Sequence, residues 1–287
     1  MSRDKLFYII VVIILIVAGV MFRFSFLSEN GMSPSPEQLN NQPEAVLNNI
    51  PIIESPAIDY SKIFEKYKGK DAERALTDKK LIAFTFDGGG NDDGTEKILR
   101  TLSDNSIRST FFLTGKFVEK FPGAVEEIKK SGGETANHTY SHKNFTQLGI
   151  EEVTQEINQM KAVAEKMGIA LAPFFRFPYG AYKKEDIRLV NDLGYVSTRW
   201  TIDSLGWQGR RDGRDPPSPE ASDGRSAKFV VDRVVEKAVP GAIVLIHLGS
   251  AADGSTFDAD ALPDIIAALK EQDYQFATLS ELFAESL

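Results

Sequence analysis

LIAFTFDGGGNDDGTEKILRTLSDN (81–105) decides the fold. LIAFTF is a short apolar run rich in β-forming residues. A glycine cluster follows, and TEKILRTLSDN then carries its apolar side chains at helical spacing. A short buried strand, a glycine turn and a helix make one βα unit, the building block of a parallel sheet.

The same pattern repeats outward from this stretch. RSTFFLT (108–114), FFRFP (174–178), GYVST (194–198), GAIVLIH (241–247) and YQFAT (274–278) read as strands. FVEKFPGAVEEIKKSG (117–132), EEVTQEINQMKAVAEKMG (151–168), KEDIRLVNDLG, KFVVDRVVEKAVPG and DADALPDIIAALKEQ read as helices. About seven units over residues 80–287 predict an α/β domain, either a closed or nearly closed βα-barrel or an open doubly wound sheet. GRRDGRDPPSPEASDGRS (209–226) is a polar, proline-rich insertion expected on the surface beside the site.

Upstream the chain changes character. Residues 6–22, LFYIIVVIILIVAGVMF, contain no charge, and as a helix they would span about 26 Å. Residues 1–27 are therefore expected to be a cytoplasmic tail and an uncleaved signal-anchor. Arg3 and Lys5 orient it with the catalytic-sized domain outside a cell membrane. Cleavage of the segment would instead make the protein secreted. Residues 28–79 form an extracytoplasmic linker, with five of the thirteen prolines between Pro34 and Pro56 and a charged, helix-compatible stretch from Tyr60 to Thr77.

Composition excludes several chemistries. There is no cysteine, which removes disulfides, thiolate metal sites and cysteine nucleophiles. Forty-one acidic against 33 basic residues give a net charge of −8, which argues against nucleic acid as a partner. No protein partner is predicted. Only three histidines exist, His138, His142 and His247, and all fall at or just beyond expected strand ends, where parallel βα folds collect reactive groups. Asp87, Arg176 and Asp203 fall in comparable places. His138 and His142, four apart, suit one divalent ion.

In chain order, TFDGG (85–89), HTYSH (138–142), RFPYG (176–180), DSLGW (203–207) and LIH (245–247) resemble the five motifs of the NodB-homology polysaccharide deacetylases, carbohydrate esterase family 4. The resemblance covers residues 80–287. It implies a distorted (β/α)7 barrel and a metal-dependent hydrolase of acetyl groups, mainly N-acetyl, on an acetylated polysaccharide. For a chain tethered at the cell surface, the cell-wall polymer peptidoglycan is the expected substrate. The alternative is a non-catalytic glycan-binding descendant.

Carried over residue by residue, the resemblance makes Asp87 the base and His247 the acid. Asp203 would hold that imidazole protonated, and Arg176 would pair with Asp87. The Tyr179 N–H would steady the oxyanion, while Trp207 and Leu245 would wall the acetyl pocket. His138 and His142 would hold a divalent metal, Zn2+ with Co2+, Mn2+ or Ni2+ as alternatives. One departure matters most: the family's carboxylate ligand, the second Asp of TFDDG, is Gly88 here. Asp92, Asp93, Asp87 or water would have to substitute, Asp93 being also a candidate helix cap. Phe177 replaces a proline of the family motif and is expected in a groove wall.

Overall fold

The computed structural model describes residues 58–209 and 226–287. The expected membrane segment, most of the linker and residues 210–225 of the insertion lie outside these described residues. Among the described residues no helix is long and apolar enough to cross a membrane.

The chain runs α1 (Tyr60–Tyr67), β1 (Asp71–Ala72), β2 (Leu81–Gly88), α2 (Thr95–Asp104), β3 (Thr110–Leu113), α3 (Gly115–Lys120) and α4 (Pro122–Lys130). It continues through β4 (Glu134–Asn137), α5 (Ile150–Lys166), β5 (Leu171–Phe175), α6 (Lys184–Asp192), β6 (Val196–Thr198) and β7 (Ile202–Asp203). Last come α7 (Ala227–Glu236), β8 (Ile243–His247), α8 (Phe257–Glu271), β9 (Gln275–Phe276) and α9 (Leu279–Ala284). The sheet follows the order β1-β6-β5-β4-β3-β2-β8-β7, all neighbours parallel, with β9 beside the start of β2.

The expected barrel is thus a curled, open one. Among the described residues β1 and β7 do not pair. The segment after β1 spans toward β8 through an antiparallel bridge between Arg74 and Ala242. Gly241 makes this crossing possible: its φ is +78°, and a Cβ there would lie 2.1 Å from the Ala75 carbonyl oxygen.

Strand alternation sorts the core and aims the site. On β2, Ile82, Phe84 and Phe86 face the helix layer, packed with Ile98, Phe111, Val244 and Ile246. Ala83 takes the opposite face, in the barrel interior with Phe112, Ala136, Phe174 and Ile243. Thr85 and Asp87 continue that inward row toward the mouth. The β2–β8 register pairs Thr85 with Leu245 and Asp87 with His247. The residue expected as base and the residue expected as acid therefore stand level on neighbouring strands.

Four local expectations change. The single helix over 117–132 is two, α3 and α4, because Pro122 cannot continue a helix and Phe121 before it leaves helical geometry at φ −124°, ψ 57°. ETAN (134–137), too polar to read as a strand, is the fully paired β4. β5 begins earlier than FFRFP and ends at Phe175, so Arg176 is the first residue beyond the strand. Residues 60–72, read as linker, pack onto the domain: Ile63 and Tyr67, four apart on α1, are buried in the interior cluster, and β1 extends the sheet beside β6.

That last difference is testable. Burying an Ile and a Tyr contributes about 3–6 kcal/mol together. A chain starting at residue 80 should therefore unfold in denaturant several kcal/mol more easily than one starting at residue 58. Equal unfolding midpoints would contradict the packing role of α1.

Candidate active site

The strand ends meet around one buried ion pair. Arg176 Nη1 donates to Asp87 Oδ1 at 2.6 Å, and Arg176 is 1% exposed. The rest of the guanidinium is committed as well: Nη2 donates to Thr85 Oγ1 at 2.9 Å and to the Arg199 carbonyl, Nε donates to the Thr198 carbonyl, and the group stacks 4.0 Å over the Phe112 ring. Burial by itself would push the Asp87 carboxyl up. The Arg176 cation, helped by His247, outweighs it and holds Asp87 below its ordinary value, hence ionised.

His138 stands over the other carboxylate oxygen, Nε2 3.4 Å from Asp87 Oδ2. Its Nδ1 lies 2.9 Å from the Arg176 carbonyl, an acceptor only, so Nδ1 carries the proton and Nε2 the lone pair. Burial holds His138 below its ordinary value and therefore neutral. Burial and the neighbouring His138 lower His142 to about 3. The two rings meet edge to face, centroids 4.8 Å apart, and the Tyr179 ring lies 4.7 Å from His142. The loops carrying these residues hold four non-glycine residues in left-handed geometry: Thr139, His142, Tyr179 and Leu205. Such strain gathers where side chains are aimed rather than merely packed.

His247 is in the opposite electrostatic setting. Burial would lower it, but the carboxylates of Asp258, Asp87 and Asp203 together raise it above its ordinary value. A carboxylate held below its ordinary value, level with an imidazole held above its own, is the arrangement that base–acid chemistry across one cleft requires. That cleft, about 360 Å³, is lined by Asp87, Asn91, His138, His142, Trp207 and His247 among others. A second hollow of about 460 Å³ adjoins it across His142 and Tyr179. A larger cleft, about 1000 Å³, runs along α2 and α4, contains no histidine and is not the chemical centre.

The structure brings together Asp87, Arg176, His138, His142, Tyr179, Trp207 and His247, and it moves others. Asp203 Oδ1 accepts from the Leu205 N–H at 2.9 Å and from Trp207 Nε1 at 3.3 Å; it helps raise His247, as expected, but the carboxylate against the ring, 3.7 Å from Nδ1, is Asp258. Leu245 lies buried beneath the cleft, not in its wall. Phe177 is buried among Phe145, Phe175 and Tyr182, not in a groove wall. Asp92 and Asp93 line another cleft rather than the one around His138 and His247, although Asp93 accepts from Ser250 Oγ at the rim of that site. The cap of α2 is Gly94, with no side-chain hydrogen bond, so Asp93 does not cap it.

Position 88 itself points at apolar atoms: a Cβ there would lie 2.8 Å from Leu113 Cδ2 and 3.1 Å from Leu248 Cδ1. Among the described residues no three ligating side chains converge at metal-binding distance. The donors present still suit a divalent ion. Two neutral imidazoles stand beside an ionised carboxylate, and the hydrogen bond at His138 Nδ1 fixes the tautomer that frees Nε2.

Two supporting residues escaped the sequence reading. Glu156 accepts from Ser141 N at 2.7 Å and Ser141 Oγ at 2.6 Å, pinning the loop that bears both histidines. Its signal was available: it sits in the buried stripe of α5 with Val153, Ile157 and Met160, where a lone carboxylate is out of place. Asn91 ties the loop after β2 to the loop after β8, accepting from Ser250 N at 2.7 Å.

The polysaccharide deacetylase family model matches residues 74–198. The peptidoglycan-N-acetylglucosamine deacetylase of Bacillus cereus is 30% identical over 210 residues, 72% of this chain and 70% of that protein. A solved peptidoglycan N-acetylglucosamine deacetylase structure superposes with a TM-score of 0.66 at 28% identity, covering 76% of this chain and 94% of that one. A family 4 pseudoenzyme from Bacillus anthracis superposes at 0.64 with 25% identity, covering 74% and 68%.

Replacing Arg176 by Met leaves a buried carboxylate without its cation. We expect a loss of about 3–5 kcal/mol in unfolding free energy at neutral pH. Because wild-type Asp87 is held below its unfolded value, the pair's contribution is present above that value and disappears as pH falls through the lower, folded one. The variant should therefore lose its stability deficit in acid, and any activity that needs ionised Asp87 should fail at a higher pH than in wild type. Denaturant unfolding across pH measures the first effect. A deficit independent of pH would contradict the assignment.

Proposed function

We propose, from the premise that this chain belongs to the polysaccharide deacetylase family, that it hydrolyses N-acetyl groups on the amino sugars of peptidoglycan. The observation that carries this reading is the Asp87–His247 register, which sets a carboxylate and an imidazole level with each other in one cleft.

The chemistry asked of these residues is amide hydrolysis. A new C–O bond forms at the acetyl carbon, the C–N bond breaks, and acetate and a free amine leave. Asp87, kept ionised by Arg176, takes the proton of the attacking water. His247 delivers a proton to the departing nitrogen, which would otherwise be too basic to leave. The Tyr179 N–H would steady the developing oxyanion. Trp207, 44% exposed and held by Asp203, forms one wall of the cleft against which a sugar or its acetyl group can pack. His138 and His142 would hold a divalent ion, for which we propose Zn2+; when bound it polarises the carbonyl and makes hydroxide available near neutral pH.

We further propose that residues 1–27 anchor the protein in a cell membrane with this domain outside, a reading that rests on sequence alone. Peptidoglycan is then the polymer within reach.

A second reading has one observation in its favour: Gly88 removes the family's carboxylate ligand, and a pseudoenzyme stands among the related structures. On that reading the cleft binds glycan without turnover. Acetate release from N-acetylglucosamine oligomers and purified peptidoglycan, after chelation and then after zinc addition, separates the two. We expect release that vanishes with the chelator and returns with zinc. Folded protein that binds these glycans but releases no acetate in any state would establish the binding reading.

A further inference from the structure

His247 can act as an acid only if its ring is held in one orientation with one nitrogen aimed at the cleft. The nitrogen Nδ1 is buried and has no hydrogen-bond partner among the described residues. Facing it is Asp258, in the first turn of α8 and 3% exposed. Asp258 Oδ2 accepts from the His247 backbone N–H at 2.9 Å and lies 3.7 Å from Nδ1, too far for a hydrogen bond but within reach of a small ring rotation. Asp258 Oδ1 is also buried without a partner among the described residues. A buried donor site and a buried acceptor left open on two neighbouring side chains are costly in a folded protein. Catalytic hydrogen bonds that are long in the free enzyme characteristically tighten when substrate closes the site.

A separate observation supports the same pairing. Gly206, in DSLGW, has no side chain where one would collide with this carboxylate: a Cβ there would lie 2.2 Å from Asp258 Oδ1 and 2.6 Å from its Cγ. The glycine is there for close approach, because any larger residue would push Asp258 off His247. Asp203, which belongs to the same motif, is engaged elsewhere, with Leu205 N and Trp207 Nε1.

We propose that Asp258 is the positioning residue of the acid. It fixes His247 with Nδ1–H toward α8 and leaves Nε2 to serve the cleft, and Gly206 is the space that admits it. This inference rests on the deacetylase reading of the site.

The test uses the full chain, with Asp258→Asn, Asp258→Ala, Gly206→Ala and His247→Ala, on two substrates. An N-acetylglucosamine oligomer needs a proton on its leaving amine, whereas 4-nitrophenyl acetate releases a phenolate that needs none. We expect Asp258→Ala and Gly206→Ala to lower kcat on the amide about 10²-fold or more. KM and aryl ester turnover should stay within a few-fold, and Asp258→Ala should add little to His247→Ala. Equal loss on both substrates would reduce Asp258 to a structural residue and overturn the proposal, as would undiminished amide turnover in Asp258→Asn and Asp258→Ala together.

Imidazole ¹⁵N NMR, recorded at a pH above the His247 titration where the ring is neutral, reads the tautomer without turnover. Nδ1–H locked in wild type and released in Asp258→Asn supports the positioning contact even if no acetate is ever formed, an outcome that would overturn the deacetylase reading alone. An unchanged tautomer in both Asp258 variants overturns the proposal.

Discussion

The architecture of the site depends on one buried ion pair. A carboxylate and a guanidinium removed from water are tolerable only when each satisfies the other and the remaining donors are also met. Asp87 and Arg176 meet that condition through a single geometry. Arg176 reaches from the end of β5 to Asp87 and Thr85 on β2, to the Thr198 and Arg199 carbonyls at the end of β6, and over the Phe112 ring on β3. The guanidinium thus ties four strands of an open, curled sheet at the mouth. Its own carbonyl receives His138 Nδ1. Charge, strand ends and the first imidazole are fixed by one residue.

The three histidines then divide by environment rather than by type. His138 and His142 are enclosed with each other and with an aromatic ring, and burial keeps them neutral. His247 is also sheltered, but the carboxylates of Asp258, Asp87 and Asp203 together raise it above its ordinary value. Neutral imidazoles offer lone pairs and a protonated one offers a proton, so one side chain serves two purposes within a single cleft. The inward alternation of β2 and β8 places the two kinds of group side by side.

What the sequence made legible was whatever local pattern controls. LIAFTF followed by glycines and a helical period was enough to predict β2 and α2, and histidines at strand ends were enough to predict the cleft. Features decided by distant contacts were not legible. ETAN is polar because Asn137 is satisfied across the fold, donating to the Ile157 carbonyl and Tyr195 Oη while accepting from Thr139 N. Asp258 looks like an ordinary acid in the first turn of a helix, and only the fold brings it to His247. Asp92 and Asp93 are near Gly88 in sequence but line a different cleft. Phe177, one residue past Arg176, turns into an aromatic cluster instead of the groove.

The state of Asp87 is the point on which all of this turns, and it can be observed directly. Selective ¹³C labelling of aspartate, with the Asp87 resonance assigned by its Asn substitution, allows its carboxyl to be titrated by NMR. A midpoint below 3.8, the ordinary aspartate value, is expected, with the carboxylate ionised throughout the range where the enzyme would work. A midpoint well above that value would mean that burial outweighs Arg176, and that Asp87 is neither the counterion nor the base assigned to it.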